Sequence, residues 1–280
     1  MAAISPVRPS PIAGSWYPGD PATLREAVNG YIDSAQAQNL DGNVIGLVSP
    51  HAGYIYSGPT AGYAYRVVKD KAFDTIAMLS PLHAYRPEPF FTSAHAAYET
   101  PLGKLEIDQA LLSVLQRELQ ESAGVDLADI AYDREHSLEI QLPFLQCALS
   151  RPFKLLPIMV REYRAQPLKA FAQALARTLK GSNALLVAST DLSHFFTEDE
   201  ANKLDSFMLE KIKEFSPEGV LKAEEDGTGS ACGNGAVAVV LWAARELGGN
   251  KVTILHHSTS AHATGDRSQV VGYGAAAICS

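Results

Sequence analysis

The stretch Val44-Ile45-Gly46-Leu47-Val48 is an apolar run that passes directly into Ser49-Pro50-His51-Ala52-Gly53-Tyr54. A short apolar run that ends at a turn is typical of a strand covered on both faces of a sheet. Pro50 ends the strand and stiffens the turn that carries His51. The stretch therefore predicts a buried strand with a histidine just beyond its carboxyl end.

The same arrangement recurs at two other places in the chain. An apolar run at 75–79 passes into Ser80-Pro81-Leu82-His83, and a run at 184–188 passes into Ser189-Thr190-Asp191-Leu192-Ser193-His194. In open α/β sheets, ligands bind at the carboxyl ends of the strands. Three histidines from distant parts of the chain can therefore converge, although each one alone is also compatible with an ordinary hydrogen-bonded residue.

The rest of the chain alternates between apolar strands and segments with helical spacing. The predicted strands are Val44–Val48, Thr75–Leu79, Lys154–Val160, Ala184–Ala188, Val252–His256 and Val270–Ile278. The predicted helices are Thr60–Lys69, Asp108–Glu121, Leu138–Leu149, Leu168–Leu179, Glu198–Phe215 and Gly233–Leu247. This alternation predicts a single α/β domain over residues 1–280, a sandwich with a central mostly parallel or mixed sheet flanked by helices.

Composition narrows the functional class. The 280 residues are 46% hydrophobic, carry a formal net charge of −8 and include three cysteines. An acidic chain without a basic cluster is a poor candidate for binding nucleic acid or an anionic membrane. No apolar run approaches the ~20 residues that span a bilayer, and no apolar signal region opens the chain. Three cysteines do not make a disulfide framework, so we expect a cytoplasmic protein.

A glycine-rich loop forms a further candidate site. It reads Gly227-Thr228-Gly229-Ser230-Ala231-Cys232-Gly233-Asn234-Gly235 and leads into the apolar helix predicted at 233–247. The backbone dipole at a helix N-terminus lowers the pKa of a thiol and stabilises the thiolate that a metal ion needs. The loop is also compatible with an ordinary turn or an anion site.

Five motifs resemble those of the Memo family, also called AmmeMemoRadiSam system protein B, and they follow in the expected order over nearly the whole chain. They are Ala13-Gly14-Ser15-Trp16-Tyr17-Pro18, Pro50-His51-Ala52-Gly53-Tyr54, Arg134-Glu135-His136-Ser137-Leu138-Glu139-Ile140-Gln141-Leu142-Pro143, Ser189-Thr190-Asp191-Leu192-Ser193-His194, and Thr264-Gly265-Asp266-Arg267 with Val271-Gly272-Tyr273.

The resemblance implies the fold of the class III extradiol ring-cleaving dioxygenases, which hold non-haem Fe(II) with two histidines and a glutamate. A cysteine replaces that glutamate in the Memo family, so the resemblance implies His51, His83 and Cys232 as the ligands of one metal ion. It implies His194 as the acid/base group, with Asp191 or His136 orienting it. Ancestry favours Fe(II), whereas the softer thiolate favours copper or zinc.

Three functions are compatible with this resemblance. The first is a metal-dependent oxidoreductase or a component of a modification pathway, acting on an unknown substrate. The second is a non-catalytic binding or adaptor protein, because eukaryotic relatives are linked to signalling and phosphopeptide binding. The third is a metal-activated hydrolase. An AMMECR-type protein and a radical SAM enzyme are the implied partners, and a small molecule or a peptide is the implied ligand.

Trp16 and Tyr54 are candidates for contacting that ligand. We expect both rings to line a cleft over the metal and to stack on a planar group, with the tyrosine hydroxyl free to hydrogen-bond it. The alternative is that both rings pack in the core, as aromatic side chains commonly do.

Overall fold

The computed structural model describes residues 4–280 and places strands and helices in alternation over most of that range. The strands are β1 (Val7–Arg8), β2 (Val44–Ser49), β3 (Thr75–Pro81), β4 (Phe90–Ser93), β5 (Ala97–Thr100), β6 (Gly103–Glu106), β7 (Ala128–Ile130), β8 (Lys154–Val160), β9 (Ala184–Ser189), β10 (His194–Phe196), β11 (Lys251–Thr259) and β12 (Val270–Cys279). The helices are α1 (Pro21–Ser34), α2 (Tyr54–Arg66), α3 (Gln109–Ala123), α4 (Leu142–Ala148), α5 (Ala165–Leu179), α6 (Glu198–Lys213), α7 (Pro217–Glu225), α8 (Asn234–Glu246) and α9 (Ala261–Thr264), and a 3-10 helix spans Glu139–Gln141.

The main sheet has nine strands, and its centre is parallel. Strands β2, β9, β3 and β8 lie side by side in that order and run in the same direction. Strand β12 pairs antiparallel with β2, β11 and β10, whereas β4 pairs antiparallel with β8 and parallel with β7. The prediction of an α/β fold with a mixed sheet is confirmed. A separate three-stranded sheet contains β1, β5 and β6.

Helices cover both faces of the main sheet. On β11, the Ser258 hydroxyl lies 2.6 Å from the hydroxyl of Thr60 in α2, whereas His257 lies 2.8 Å from the carboxylate of Asp205 in α6. Neighbouring residues of a strand point to opposite faces, so α2 and α6 lie on opposite sides of the sheet. A single large hydrophobic cluster extends from Ile12 to Cys279. Within residues 4–280, no helix has the length and apolar character needed to cross a membrane.

The predicted central strands are correct to within one or two residues, but two helices differ. Helix α2 begins at Tyr54 rather than residue 60, because the helix tolerates Pro59 inside it, although a proline there removes a backbone hydrogen bond. The helix predicted at 138–149 is divided into the 3-10 turn and α4, with Pro143 in the first turn of α4.

Helix α1 was not predicted, although its sequence carries the signals of a helix start. The carboxylate of Asp20 accepts the Thr23 N–H at 2.9 Å, and Pro21 occupies the first helical position. Leu24, Val28 and Ile32 recur at the spacing of one helix face, and all three are buried.

Candidate metal centre

Three histidines meet at the carboxyl edge of the parallel strands. His51 follows β2, His83 follows β3, and His136 comes from the loop between β7 and the 3-10 helix. One ring nitrogen from each of them lies within 4.8 Å of the others. The predicted convergence of His51 and His83 is therefore present, and His136 joins them as a third donor.

The tautomer of His51 follows from its neighbours. Its ring is buried, and Nδ1 lies 3.1 Å from the Ser189 hydroxyl. That hydroxyl donates its own proton to the Ser137 carbonyl at 2.6 Å, so it accepts a proton from His51 Nδ1. The lone pair of His51 is thus on Nε2. Burial, with His136 and His83 close by, lowers the pKa of His51 well below its usual value and keeps the ring neutral.

His83 is oriented by the carboxylate of Glu135. The Oε1 atom lies 2.9 Å from His83 Nδ1, and Oε2 accepts the His83 backbone N–H at 2.6 Å. The hydrogen bond to Glu135 raises the pKa of His83. Burial alone would raise the pKa of Glu135, but the hydrogen bonds and charge of His83 outweigh it and lower that pKa. A carboxylate on Nδ1 leaves Nε2 as the metal-binding atom, which is the usual arrangement around protein metal sites.

His136 lies between an aromatic ring and the other two histidines. Its ring centroid is 4.1 Å from that of Trp16 and 4.9 Å from that of His83, with the two imidazoles nearly parallel. Its backbone N–H donates to Glu135 at 3.0 Å. Burial lowers the pKa of His136 to about 4, so its ring is neutral at pH 7.

Cys232 reaches the same point from the glycine-rich loop. Its Sγ atom lies 3.2 Å from His51 Nε2, and its backbone N–H donates to the Asp191 carbonyl at 3.3 Å. A Cβ atom on Gly233 would lie 2.5 Å from the Ser189 carbonyl oxygen, so only glycine allows the loop to approach β9 this closely.

The expected lowering of the thiol pKa of Cys232 is not what the structure shows. Burial, and secondarily the charge of Asp191, raise that pKa. The cysteine precedes α8, which begins at Asn234, and the cost of burying a thiolate outweighs the effect of the helix dipole. Without a metal ion the thiol is therefore protonated.

Asp191 and His194 take positions that differ from those expected. Asp191 Oδ1 accepts the His51 backbone N–H at 2.6 Å, and burial raises the pKa of Asp191 to about 7 although this bond opposes the rise. The Nδ1 atom of His194 donates to the Leu192 carbonyl at 2.8 Å. Neither Asp191 nor His136 orients His194; the carbonyl two residues before it does so.

A cavity of about 720 Å³ lies near the cluster, and Trp16, which packs against the His136 ring at a tilt, is part of its lining. Tyr56 and Phe195 are further aromatic residues of that lining. Tyr54 also lines the cavity, but its hydroxyl donates to the Ile140 carbonyl at 2.7 Å and is not free for a ligand. Phe195 is 69% exposed and has a φ of +65°, a conformation that is uncommon for a bulky residue.

The donor set fits a transition metal ion. Neutral imidazole nitrogens and a cysteine sulfur are the ligands that zinc, copper and iron accept in proteins. In a tetrahedral site with Zn–N near 2.0–2.1 Å and Zn–S near 2.3 Å, the nitrogen and sulfur are about 3.6 Å apart. The 3.2 Å between His51 Nε2 and Cys232 Sγ is close to that spacing. The metal's identity does not follow from these donors.

Comparison with known proteins places the chain in a family. The model of the Memo-like protein family matches residues 8–277. The chain belongs to the Memo family. A MEMO1 family protein of Nitrosopumilus maritimus is 35% identical to it over 274 residues, covering 96% of this chain and 98% of that protein. MEMO1 family proteins of Methanopyrus kandleri and Methanosarcina mazei are 32% and 31% identical, covering 94% and 96% of this chain and 96% and 98% of those proteins.

Two residues of this Memo site were not anticipated in their present roles. His136 was expected to orient another histidine, whereas it contributes a ring nitrogen to the cluster. Glu135 was not singled out at all, although it receives N–H groups from His83, His136 and Ser137. Both residues lie in the family motif at 134–143, and the adjacency of an acid and a histidine was the available signal.

Proposed function

We propose that this Memo family member holds one transition metal ion with His51, His83 and Cys232, with His136 beside them, and acts as a metal-dependent oxidoreductase. One observation carries the proposal: the free Nε2 atom of His51 lies next to a thiol, and the His51 ring meets two further imidazoles. Hydrogen bonds already fix the Nδ1 atoms of His51 and His83.

The bound metal ion would supply Lewis acidity and, if it is iron or copper, a change of oxidation state. Ancestry shared with the extradiol dioxygenases favours Fe(II), whereas the thiol of Cys232 favours the softer zinc or copper. The protein's own contribution is to supply neutral donors. Because burial disfavours the charged forms of His51 and His136, those two rings need not lose a proton before they bind.

His194 is the proposed acid/base group. Since its Nδ1–H donates to the Leu192 carbonyl, the Nε2 atom is the one free to accept a proton from a ligand. Burial lowers the pKa of His194, so the imidazole is neutral at pH 7 and begins the reaction as a base.

The lining of the cavity supports a planar or aromatic ligand. Trp16, Tyr56 and Phe195 offer flat apolar faces, which favour a planar or aromatic group. The Tyr54 hydroxyl is already bonded to Ile140, so this tyrosine contributes its ring alone. We expect catechol to bind weakly and its ring cleavage to be slow or absent, since Leu82 and Ala84 make the region near His83 less polar than is usual in the family.

The test begins with protein purified without air. Metal analysis should give about one equivalent of a transition metal for the wild type and much less for His51→Ala. The protein is then loaded anaerobically with Fe(II), catechol is added, and O₂ is admitted while the visible spectrum is recorded. A metal-free wild type that also fails to take up Fe(II), Zn(II) or Cu(I) would overturn the proposal. Rapid formation of a yellow ring-opened product would establish a true extradiol dioxygenase.

A binding function is the second candidate, and exposed apolar residues favour it. Ile55 and Phe195 are 68% and 69% exposed beside the cavity, and exposed apolar side chains grouped around a cleft commonly mark a ligand or partner site. A metal-loaded protein that shows no O₂ consumption but binds a peptide tightly would support this function over the first. Turnover under anaerobic conditions with Zn(II) would instead indicate a hydrolase.

A further inference from the structure

The loop that carries Glu135 and His136 is held by the N-terminal segment of the chain. Arg8 lies in β1, outside the main sheet, and only 1% of its surface is exposed. More than 120 residues of sequence separate Arg8 from each group that accepts a hydrogen bond from its guanidinium. A buried arginine must have its charge and its N–H groups satisfied, so its partners reveal what it does.

Those partners lie along the loop that carries His136 and at the start of the 3-10 helix after it. The Nε and Nη2 atoms donate to the two carboxylate oxygens of Asp133 at 2.9 and 2.7 Å. Nη1 donates to Glu139 at 2.6 Å, and Nη2 also donates to the backbone carbonyl of Glu135 at 2.7 Å. One guanidinium therefore fixes a residue before His136, a residue after it, and the backbone of its immediate neighbour.

A second set of contacts ties the same segment to the start of the loop. The Ser5 backbone N–H donates to the Tyr132 hydroxyl at 2.8 Å. His95 lies between the two segments: Nδ1 donates to the Ser5 carbonyl at 2.7 Å, and Nε2 accepts the Tyr132 backbone N–H at 3.1 Å. Trp16, further along the N-terminal segment, packs against the His136 ring at a tilt.

We propose that Arg8 is a positioning residue of the metal centre. By fixing the backbone of Glu135, it sets the direction of the carboxylate that orients His83, and it sets the place of the adjoining His136. Arg8 is not expected to touch the metal ion or the ligand. The inference rests on the proposed metal-binding function and adds a residue that acts from outside the cluster.

The geometry requires arginine rather than any cation. The two parallel bonds to Asp133 and the bonds to Glu139 and Glu135 use the planar fork of the guanidinium, whereas a lysine ammonium is a compact point charge on a flexible stem. Arg8→Lys keeps the positive charge and loses the simultaneous contacts. It therefore separates the positioning role from charge neutralisation.

The experiment titrates the metal-free full chain with Co(II). Two quantities are measured: the dissociation constant and the visible d–d bands. Changes to residues that support metal ligands commonly weaken metal binding about 10–100-fold. We expect a loss of that size and altered d–d bands for Arg8→Lys. The matched control is Arg245→Lys, since Arg245 donates to the Phe215 carbonyl at the far end of α8 and should affect thermal stability only.

The outcomes separate this inference from the proposed function. Arg8→Lys with a lowered melting temperature but an unchanged Co(II) constant and spectrum would make Arg8 merely structural. A wild type that binds none of Co(II), Fe(II), Zn(II) and Cu(I) would overturn both proposals, and one that binds any of the last three but not Co(II) is titrated with that ion instead. If Arg8→Lys does not fold, hydrogen exchange of the wild type decides: Co(II) should protect amides of residues 5–12 as well as 131–138. Protection confined to 131–138 would refute the role of Arg8.

Discussion

Replacing Glu135 by glutamine tests how far the metal centre depends on one carboxylate. Its Oε1 atom accepts hydrogen bonds from His83 Nδ1 at 2.9 Å and from the backbone N–H groups of His136 and Ser137 at 3.0 Å each. Its Oε2 atom accepts the His83 backbone N–H at 2.6 Å. Glutamine keeps the shape but offers one acceptor oxygen and an NH₂ group, so at least one donor would face another donor.

The magnitude follows from these four contacts. A hydrogen bond to a charged group contributes about 1.5–3 kcal/mol, and a buried donor left without a partner costs about 1–3 kcal/mol. Glu135→Gln should lower the free energy of unfolding by about 2–4 kcal/mol, because one of these hydrogen bonds is lost and the other three are weakened. At about 2–4 °C per kcal/mol for a chain of this size class, the melting temperature should fall by roughly 4–16 °C.

The effect on the metal is a separate quantity. Loss of the carboxylate on Nδ1 lets the His83 ring rotate and change tautomer, so the affinity for Zn(II) or Co(II) should fall about 10–100-fold. Isothermal titration of the metal-free protein measures it. Glu162→Gln is the matched control, because Glu162 is also buried and its carboxylate accepts the Tyr163 and Arg164 N–H groups and none from a histidine. Equal affinity in both variants would refute the reasoning.

Four further results are expected. Cys232→Ser should lose most of the bound metal, because a hydroxyl is a far weaker acid than a thiol, whereas Cys147→Ser should retain it in metal analysis. Gly233→Ala should also lose metal, since the added Cβ meets the Ser189 carbonyl at 2.5 Å and pushes the cysteine loop away; full metal content would contradict this. His194→Ala should keep its metal but lose any turnover, and a loss of metal as complete as in His51→Ala would make His194 a ligand. In the metal-free protein, the pKa of His136 lies near 4 in the folded state and about 6.5 in the unfolded state. The free energy of unfolding should therefore fall by about 3 kcal/mol in total as the pH drops from 6.5 to 4. Urea unfolding of His136→Gln should lack this part of the pH dependence.

The sequence was sufficient to predict the sheet and the edge of the sheet at which the site lies. Unbroken apolar runs such as Val44–Val48 and Lys154–Val160 can be stable only when both faces are covered, and a polar group directly after such a run must lie at the carboxyl edge. His51 and His83 followed from that reasoning because each comes directly after its strand. The helix at 54–66 was predicted to begin only at residue 60, directly after Pro59, which lies inside it.

The remaining errors concern residues whose environment is made by distant parts of the chain. His136 lies in a loop, and it joins the cluster because Arg8 and Trp16 hold that loop in place. The thiol of Cys232 was expected to have a lowered pKa from its place before a helix, but burial against β9 reverses the shift. Neither effect is local, so spacing and composition cannot report it.

The centre joins two parts of the molecule that contribute different properties. His51 follows β2, and the N–H groups of Cys232 and Gly233 donate to Asp191 and Thr190, which follow β9, the strand paired with β2. His136 and the carboxylate of Glu135 are fastened instead by a buried ion-pair network with the N-terminal segment. Removing one partner of such a network lowers folding stability strongly, whereas the network as a whole adds little net stability. We infer that its value lies in geometry: it places one imidazole and the orienting carboxylate beside His51 and Cys232.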